Sequence, residues 1–336
     1  MSKIAVLGAG SWGIAVTNLI SQNGYDVALW EYFKEDCEKI QRLREQPDKL
    51  PSIKIPESVL ITNNIKQAVS NANAIVLAIP SQVLRNTVKL AAPFLPNNVE
   101  FIISLAKGIE NNTLNRMSEV LLQELPGNLH DRIASLSGPS HAEEVSRNMP
   151  TTVVVASTNI DVAGKVQKVF ASDSFRVYTS PDLIGVELGG SLKNVIAIAA
   201  GIVYGLGLGD NTIGGLITRG LAEMVRLAQK LGADPLTFSG LSGIGDLITT
   251  CTSKHSRNRY VGEQLGKGRK LNEILQSMTM VAEGVKTTQS AYQLSLKHDV
   301  EMPITAEVYN ILFEDKNPKI ALYDLMTRSP KQEIWS

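Results

Sequence analysis

The chain has 336 residues, 43% hydrophobic and 20% charged, which gives a folded chain a sizeable core and room for two domains. Lys plus Arg and Asp plus Glu both number 33, so the formal net charge is +0; no basic excess is available to neutralise phosphates, which argues against nucleic-acid binding. Cys37 and Cys251 are too few and too far apart for a disulfide framework or a zinc site, so a reducing, cytoplasmic setting without a bound metal is expected.

From the N-terminus, Ile4 to Leu7 form an apolar run with no polar break, as in a strand buried on both faces of a parallel sheet. Gly8-Ala9-Gly10-Ser11-Trp12-Gly13 follows and fits G-x-G-x-x-G. Gly8 permits a tight turn, Gly10 lets the backbone approach a pyrophosphate, and Gly13 lets the next helix pack close to the sheet. An amphipathic helix from Ile14 to Ile20 and a second strand from Asp26 to Trp30 complete the context of a dinucleotide-binding turn. Glu31 closes that strand 18 residues after Gly13. A carboxylate there accepts hydrogen bonds from ribose hydroxyls and repels a 2′-phosphate, which leans towards NAD. Lys34 is placed to offset the repulsion in part, and a solvated surface glutamate is the competing reading.

A charged helix from Lys34 to Arg44 leads to a loop with Pro47, Pro51 and Pro56. Strands are expected at Val59 to Thr62, Ala74 to Ile79, Glu100 to Ser104, Arg132 to Leu136, Thr151 to Ala156 and Phe175 to Tyr178, with helical patterns between them. That alternation predicts an α/β fold with a doubly wound sheet over residues 1–180. Beyond it the periodicity is helical, in 182–206, 212–231, 257–265, 284–297 and 303–313, and defines an all-helical domain over 181–336. Its longest apolar run, Val195 to Gly209, carries four glycines and is read as a buried helix and its loop, with no membrane insertion.

Polar groups cluster where strands end, which is where open α/β sheets bind ligands. Lys107 follows one strand beside Gly108, and Ser137-Gly138-Pro139-Ser140-His141-Ala142 follows another. His141 invites an acid/base role but, as a loop histidine, is read as a surface residue. In Gly189-Gly190-Ser191-Leu192-Lys193-Asn194 the glycines stand at i−4 and i−3 from Lys193, so the lysine lies on a helix face stripped of bulk. Two helical glycines cost about 1 kcal/mol each against alanine. Close packing would explain them, but a lysine in a dry niche, with its pKa depressed towards general acid/base use, is favoured. Asp246 sits after the glycine turn Gly243-Ile244-Gly245. Ser256-Arg257-Asn258 opens a helix, with Ser256 as a candidate N-cap. A hydroxyl, a guanidinium and an amide there suit a small phosphate site, while ordinary capping with a solvated arginine is the competing reading and, on these residues alone, the stronger one.

Taken together, GAGSWG, IPSQ (79–82), SLAKGIE (104–110), LSGPSHAEEV (136–145), GGSLKNVIAIAAG (189–201), GLGLGDN (205–211), SGIGDLITTCTS (242–253), SRN (256–258) and VAEG (281–284) resemble the bacterial-type NAD(P)-dependent glycerol-3-phosphate dehydrogenases over nearly the whole chain. The resemblance implies a Rossmann-type sheet domain followed by a helical domain, with NAD or NADP as cofactor. It implies reversible hydride transfer between NAD(P)H and dihydroxyacetone phosphate to give sn-glycerol 3-phosphate for glycerophospholipid synthesis, in a homodimer. By the same resemblance Lys193 is the catalytic lysine, while Lys107, Gly138, Ser140, Asp246, Ser256, Arg257 and Asn258 meet the substrate. Ser11, Trp12, Phe33, Lys107, Ala142, Arg257, Val281 and Glu283 join Gly8, Gly10, Gly13 and Glu31 as cofactor contacts. Glu31-Tyr32-Phe33-Lys34 departs from the family's usual small residue and arginine, and His141 stands where phenylalanine is common. Two other readings remain open: a related dehydrogenase of another hydroxy or keto substrate, and a non-catalytic NAD-sensing protein. The Ser256-Arg257-Asn258 cluster speaks against the first, and single-turnover mixing with NADH separates the second.

Overall fold

A computed structural model describes residues 2–330, 332 and 333. Eight strands form one sheet: β1 (Lys3–Leu7), β2 (Asp26–Trp30), β3 (Leu60–Thr62), β4 (Ala74–Leu77), β5 (Phe101–Ser104), β6 (Ile133–Ser137), β7 (Thr151–Ala156) and β8 (Phe175–Ser180). Their order is β3-β2-β1-β4-β5-β6-β7-β8. The chain winds outward from β1 in one direction and then from β4 in the other, which leaves a crevice beyond the carboxyl ends of β1 and β4. The side-chain period of two sorts the core. Ile4 and Val6 enter the apolar cluster on one face of the sheet, and Ala5 and Leu7 enter the cluster on the other.

Every pairing is parallel except β6 with β7, where Ser137 lies opposite Val154. The expected doubly wound sheet is therefore mostly, not wholly, parallel. The cause is the connection from 138 to 150, whose helix, Ala142–Val145, has four residues. It is too short to cross the sheet and return in parallel. The reversal keeps that connection at the ligand end of the sheet.

Five of the helices position the site and its surroundings: α1 (Ser11–Gln22), α2 (Leu183–Gly205), α3 (Asp210–Lys230), α4 (Asp246–Thr252) and α5 (Arg257–Gly266). Two more, α6 (Glu283–Lys297) and α7 (Pro303–Phe313), pack against α2, and a last helix, Pro318–Met326, follows them. The axis of that portion is α2, 23 residues long, started by Asp182, whose carboxylate accepts from Gly185 N–H at 2.8 Å. By length and composition α2 could cross a membrane, but it is buried inside the fold. Its apolar residues nucleate the largest helical cluster, with Met224 and Leu227 from α3, Val261 from α5 and Val308 from α7. Helix α5 crosses α2 at backbone contact. A Cβ on Gly201 would lie 2.0 Å from the Arg259 carbonyl oxygen, and one on Gly262 would lie 1.9 Å from that of Ile198. Glycine at both positions is what lets the helix carrying Arg257 lie against the helix carrying Lys193.

Candidate active site

The site lies where the carboxyl ends of β5 and β6 meet α2 and α4. Gly189 and Gly190 bring α2 there: a Cβ would stand 2.5 Å from the Ser242 carbonyl oxygen at the first and 2.5 Å from Ser137 Oγ at the second. Close packing, one of the two readings weighed in the sequence, is what both glycines provide. The same approach that needs bare glycine carries Lys193 into the interior, where it is 5% exposed. From the other side, the turn Leu241–Gly245, kinked at Gly243, leads into α4 and brings Asp246 to the lysine.

Asp246 is shared between two ammonium groups. Its Oδ1 accepts from Lys193 Nζ at 2.5 Å, and its Oδ2 accepts from Lys107 Nζ at 2.7 Å. Gly138 N–H (3.3 Å) and Ser137 Oγ (3.4 Å) also donate to Oδ2. Burial alone would raise the Asp246 pKa, and the two lysines reverse this and hold the carboxyl below its usual range. Lys193 also donates to Thr250 Oγ1 at 2.6 Å, whose own proton goes to the Asp246 carbonyl oxygen at 2.6 Å. Lys107 also donates to the Gly138 carbonyl oxygen at 2.9 Å. An ammonium has three N–H donors. Among the described residues each lysine finds two hydrogen-bond partners, so each keeps one donor. Two ammonium groups held together by one buried carboxylate, each with a donor to spare, suit an oxygen that becomes an alkoxide. Burial, with Lys107 adding to it, brings the Lys193 pKa down to about 8 against the pull of Asp246, which makes it a usable acid and base near neutrality.

The Ser256-Arg257-Asn258 turn is committed in part to structure. Ser256 Oγ accepts from Arg259 N–H at 3.2 Å as the N-cap of α5, and Asn258 Oδ1 accepts from Gly284 N–H at 2.9 Å. The Arg257 guanidinium donates to the Val281 carbonyl oxygen at 3.0 Å. Two carboxylate oxygens of Glu283 accept from Ser81 N–H (2.7 Å) and Lys107 N–H (3.3 Å), tying the start of α6 to the ends of β4 and β5. Ser140 Oγ donates to the Gly138 carbonyl oxygen at 2.9 Å, and Ala142 is buried beside α1.

The glycine turn fits a dinucleotide. A Cβ on Gly13 would lie 1.9 Å from the Gly8 carbonyl oxygen, while one on Gly10 would meet nothing within 4 Å, so the turn is closed beneath and open above. Gly10 stands before α1 with no side chain capping the helix, whose first N–H groups are left to an anion. Ser11 and Trp12 begin that helix, and Ser11 Oγ lies 3.8 Å from Met280 Sδ of the segment preceding α6. Phe33 and Tyr32 are exposed and meet edge to face at 5.1 Å, beside the end of β2.

Two readings are corrected, that of Lys34 as the cation offsetting Glu31 and that of His141 as a surface residue. Glu31 is 5% exposed, against the competing solvated reading, with Oε1 accepting from Phe33 N–H at 3.1 Å. The cation facing it is Lys49, at 4.0 Å, whereas Lys34 is 79% exposed at its side chain and pairs with Glu38 at 3.8 Å. His141 is not a surface residue either. It is half-buried, its ring lies 5.7 Å from that of His255, and its Nε2 is buried without a partner. Burial, with Lys193 and Lys107 nearby, pushes its pKa down to about 4, so the imidazole is neutral at physiological pH. Sequence reasoning did not find Thr250, or Asn194, whose Nδ2 holds the Lys107 carbonyl oxygen at 3.0 Å. Both were detectable: Thr250 is four residues after Asp246, and Asn194 adjoins Lys193.

The model of the N-terminal part of NAD-dependent glycerol-3-phosphate dehydrogenase matches residues 3–163, and that of its C-terminal part matches 182–323. The chain belongs to this family. It is 52% identical over 332 residues to the glycerol-3-phosphate dehydrogenase (NAD(P)+) of Chlorobium limicola, covering 99% of each chain. The Bacillus subtilis protein of that name is 48% identical over 334 residues, with 99% of this chain and 96% of that one covered. The crystal structure of glycerol-3-phosphate dehydrogenase from Coxiella burnetii superposes with a TM-score of 0.93 at 37% identity, over 97% of this chain and 99% of that one.

Proposed function

We propose that this chain is an NAD(P)-dependent sn-glycerol-3-phosphate dehydrogenase. It interconverts dihydroxyacetone phosphate and sn-glycerol 3-phosphate, acts in the cytoplasm as a homodimer, and supplies glycerophospholipid synthesis. The observation that carries the reading is the convergence of two lysine ammonium groups, each with a spare donor, on Asp246. The reading divides the chain near Ser180 into a dinucleotide-binding domain, 1–180, and a helical substrate domain, 181–336; its support is that the last strand ends at Ser180.

Gly8, Gly10, Ser11, Trp12 and Gly13 would hold the dinucleotide, with Glu31, Phe33, Ala142, Val281 and Glu283 around it. When bound, it supplies or accepts the hydride at C2. Arg257 and the start of α5 bind the substrate phosphate, with Ser256 and Asn258 holding that turn in shape, and Gly138 and Ser140 line the substrate. Protonated Lys193 and Lys107 hydrogen-bond the C2 oxygen as it gains negative charge. Lys193 then gives that oxygen a proton; in the oxidative direction neutral Lys193 takes it back. Asp246 keeps the two cations together without titrating itself. Anchoring the phosphate away from C2 fixes the reacting carbon, so part of the rate comes from positioning.

The test is the decay of NADH and NADPH absorbance when dihydroxyacetone phosphate is added to purified protein. Decay with that substrate but not with unphosphorylated dihydroxyacetone is the expected result. No decay with either cofactor, in folded protein, overturns the assignment and turns attention first to another hydroxy or keto substrate and then to an NAD sensor.

A further inference from the structure

The end of β2 holds a charge arrangement that neither the chemistry at C2 nor phosphate binding uses. Glu31 is fixed at every point: its N–H donates to the Thr62 carbonyl oxygen at 3.1 Å, its own carbonyl oxygen accepts from Asn63 Nδ2 at 2.8 Å, and its Oε1 holds Phe33 N–H. The carboxylate therefore cannot swing away from whatever occupies the ribose position beyond β2. Its second oxygen faces Lys49 Nζ at 4.0 Å, and that ammonium also pairs with Asp36 Oδ2 at 3.2 Å. Lys49 reaches this point from a tight turn in which the N–H groups of Lys49 and Leu50 both donate to the Gln46 carbonyl oxygen, at 3.2 and 2.9 Å. The neighbouring Asp48 is pinned by Lys39 at 2.5 Å. One cation thus stands between two carboxylates, and the three groups sum to a single negative charge.

We propose that Lys49 is a cofactor-discriminating residue of this chain, acting with Glu31. This rests on the dehydrogenase reading above. Glu31 accepts a hydrogen bond from a ribose 2′-hydroxyl and disfavours a 2′-phosphate. Lys49 softens that exclusion, because its ammonium is the one cation that the fold aims at the Glu31 carboxylate among the described residues. The chain therefore prefers NADH but does not shut out NADPH. Removing the cation sharpens the preference, and removing the carboxylate leaves Lys49 free to pair with a 2′-phosphate.

The experiment measures dissociation constants of NADH and NADPH by fluorescence titration of the full-length protein at low ionic strength. The variants are Lys49→Met, Lys49→Arg, Glu31→Gln and the double variant Glu31→Gln/Lys49→Met, each checked for folding by circular dichroism. Wild type binds NADH more tightly. Lys49→Met weakens NADPH about tenfold more than NADH, as expected for losing one unit charge near a dianion, while Lys49→Arg keeps the wild-type ratio. Glu31→Gln shifts the ratio towards NADPH by about tenfold, and the double variant loses most of that gain. If Lys49→Met weakens both cofactors equally or neither, or if the Glu31→Gln gain survives in the double variant, the proposal is overturned. A folded protein that binds neither dinucleotide overturns the dehydrogenase reading itself.

Discussion

Asp246→Asn separates the electrostatic role of the site from its shape, because asparagine keeps the volume and loses the charge. In the structure that charge faces Lys193 at 2.5 Å and Lys107 at 2.7 Å, and it is buried. At an effective dielectric of about 20, each contact is worth roughly 6 kcal/mol before desolvation is subtracted. Breaking a buried pair by removing one partner costs about 3–5 kcal/mol net, since the remaining charge stays buried. If Lys193 carries half of a loss of about 4 kcal/mol, its protonated form is disfavoured by about 2 kcal/mol, which moves its titration down by about 1.5 in pH. Lys193 starts at about 8. The oxidation of sn-glycerol 3-phosphate, which needs neutral Lys193, rises with pH through about 8 in the wild type. In Asp246→Asn that limb moves to about 6.5, and the reductive reaction, which needs the protonated form, falls away above the same pH. The assay is initial rate against pH in both directions, with melting curves to show that the variant is folded at each pH. An oxidative limb that stays at its wild-type position, or moves upward, refutes the idea that Asp246 holds the Lys193 charge.

Lys193→Ala abolishes turnover, by at least about a thousandfold, while NADH titration still gives wild-type affinity; a folded variant with normal activity removes Lys193 from the chemistry. Arg257→Ala raises the apparent KM for dihydroxyacetone phosphate about ten- to a hundredfold and changes kcat less, and steady-state kinetics would show an unchanged KM if Arg257 does not hold the phosphate. Away from the site, Glu223 on α3 caps α7, accepting from Ile304 N–H at 2.6 Å and Thr305 N–H at 3.1 Å. Burial raises its pKa from 4.5 to about 7, so the folded chain holds that proton more tightly than the unfolded one. This contribution is complete below pH 4.5 and is lost as pH rises to about 7, a fall of roughly 3 kcal/mol that Glu223→Gln should not show. Denaturant midpoints of both proteins at pH 5 and 7.5 provide the comparison, and equal pH slopes would count against the assigned titration.

Much of this was legible in the chain because burial writes plainly at the level of composition. Strands covered on both faces are unbroken apolar runs, so β1, β2, β4 and β7 fell where Ile4 to Leu7, Asp26 to Trp30, Ala74 to Ile79 and Thr151 to Ala156 placed them. The helical pattern of 182–206 became Leu183–Gly205, because a central helix is apolar all round and has distinct ends. Strand direction was not legible, since alternation is the same in both senses; the short connection from 138 to 150 was the only available clue to the reversal at β7. Short helices such as Asp246–Thr252 and Leu271–Gln276 escaped because one or two turns carry little periodicity. That omission hid Thr250, which reaches Lys193 only because Asp246 and Thr250 share a helix face. The cation facing Glu31 was missed, because Lys49 sits in a loop 18 residues later that no local pattern connects to it.

The charges also say how the two halves of the chain depend on each other. Lys107 stands on the sheet side, and its carboxylate partner Asp246 stands on the helical side. Glu283 begins a helix of the second half, yet it is spent on the N–H groups of Ser81 and Lys107 in the first. Glu187, in the second turn of α2, accepts from Ser118 N–H at 2.7 Å and from Arg116 Nη1 at 2.7 Å, at the start of a helix that flanks the sheet. In each case one half supplies a cation or a backbone donor and the other the carboxylate; if the halves parted, Asp246 would keep Lys193 but lose Lys107, and Glu283 and Glu187 would lose the donors named here. A buried carboxylate without its partner costs several kcal/mol. Docking of the halves is therefore held in part by groups that shape the site, Lys107, Asp246 and Glu283. Asp246 in particular cannot order Lys193 unless the kinked turn before it is seated against Gly189, and that seating is possible only because residue 189 has no side chain.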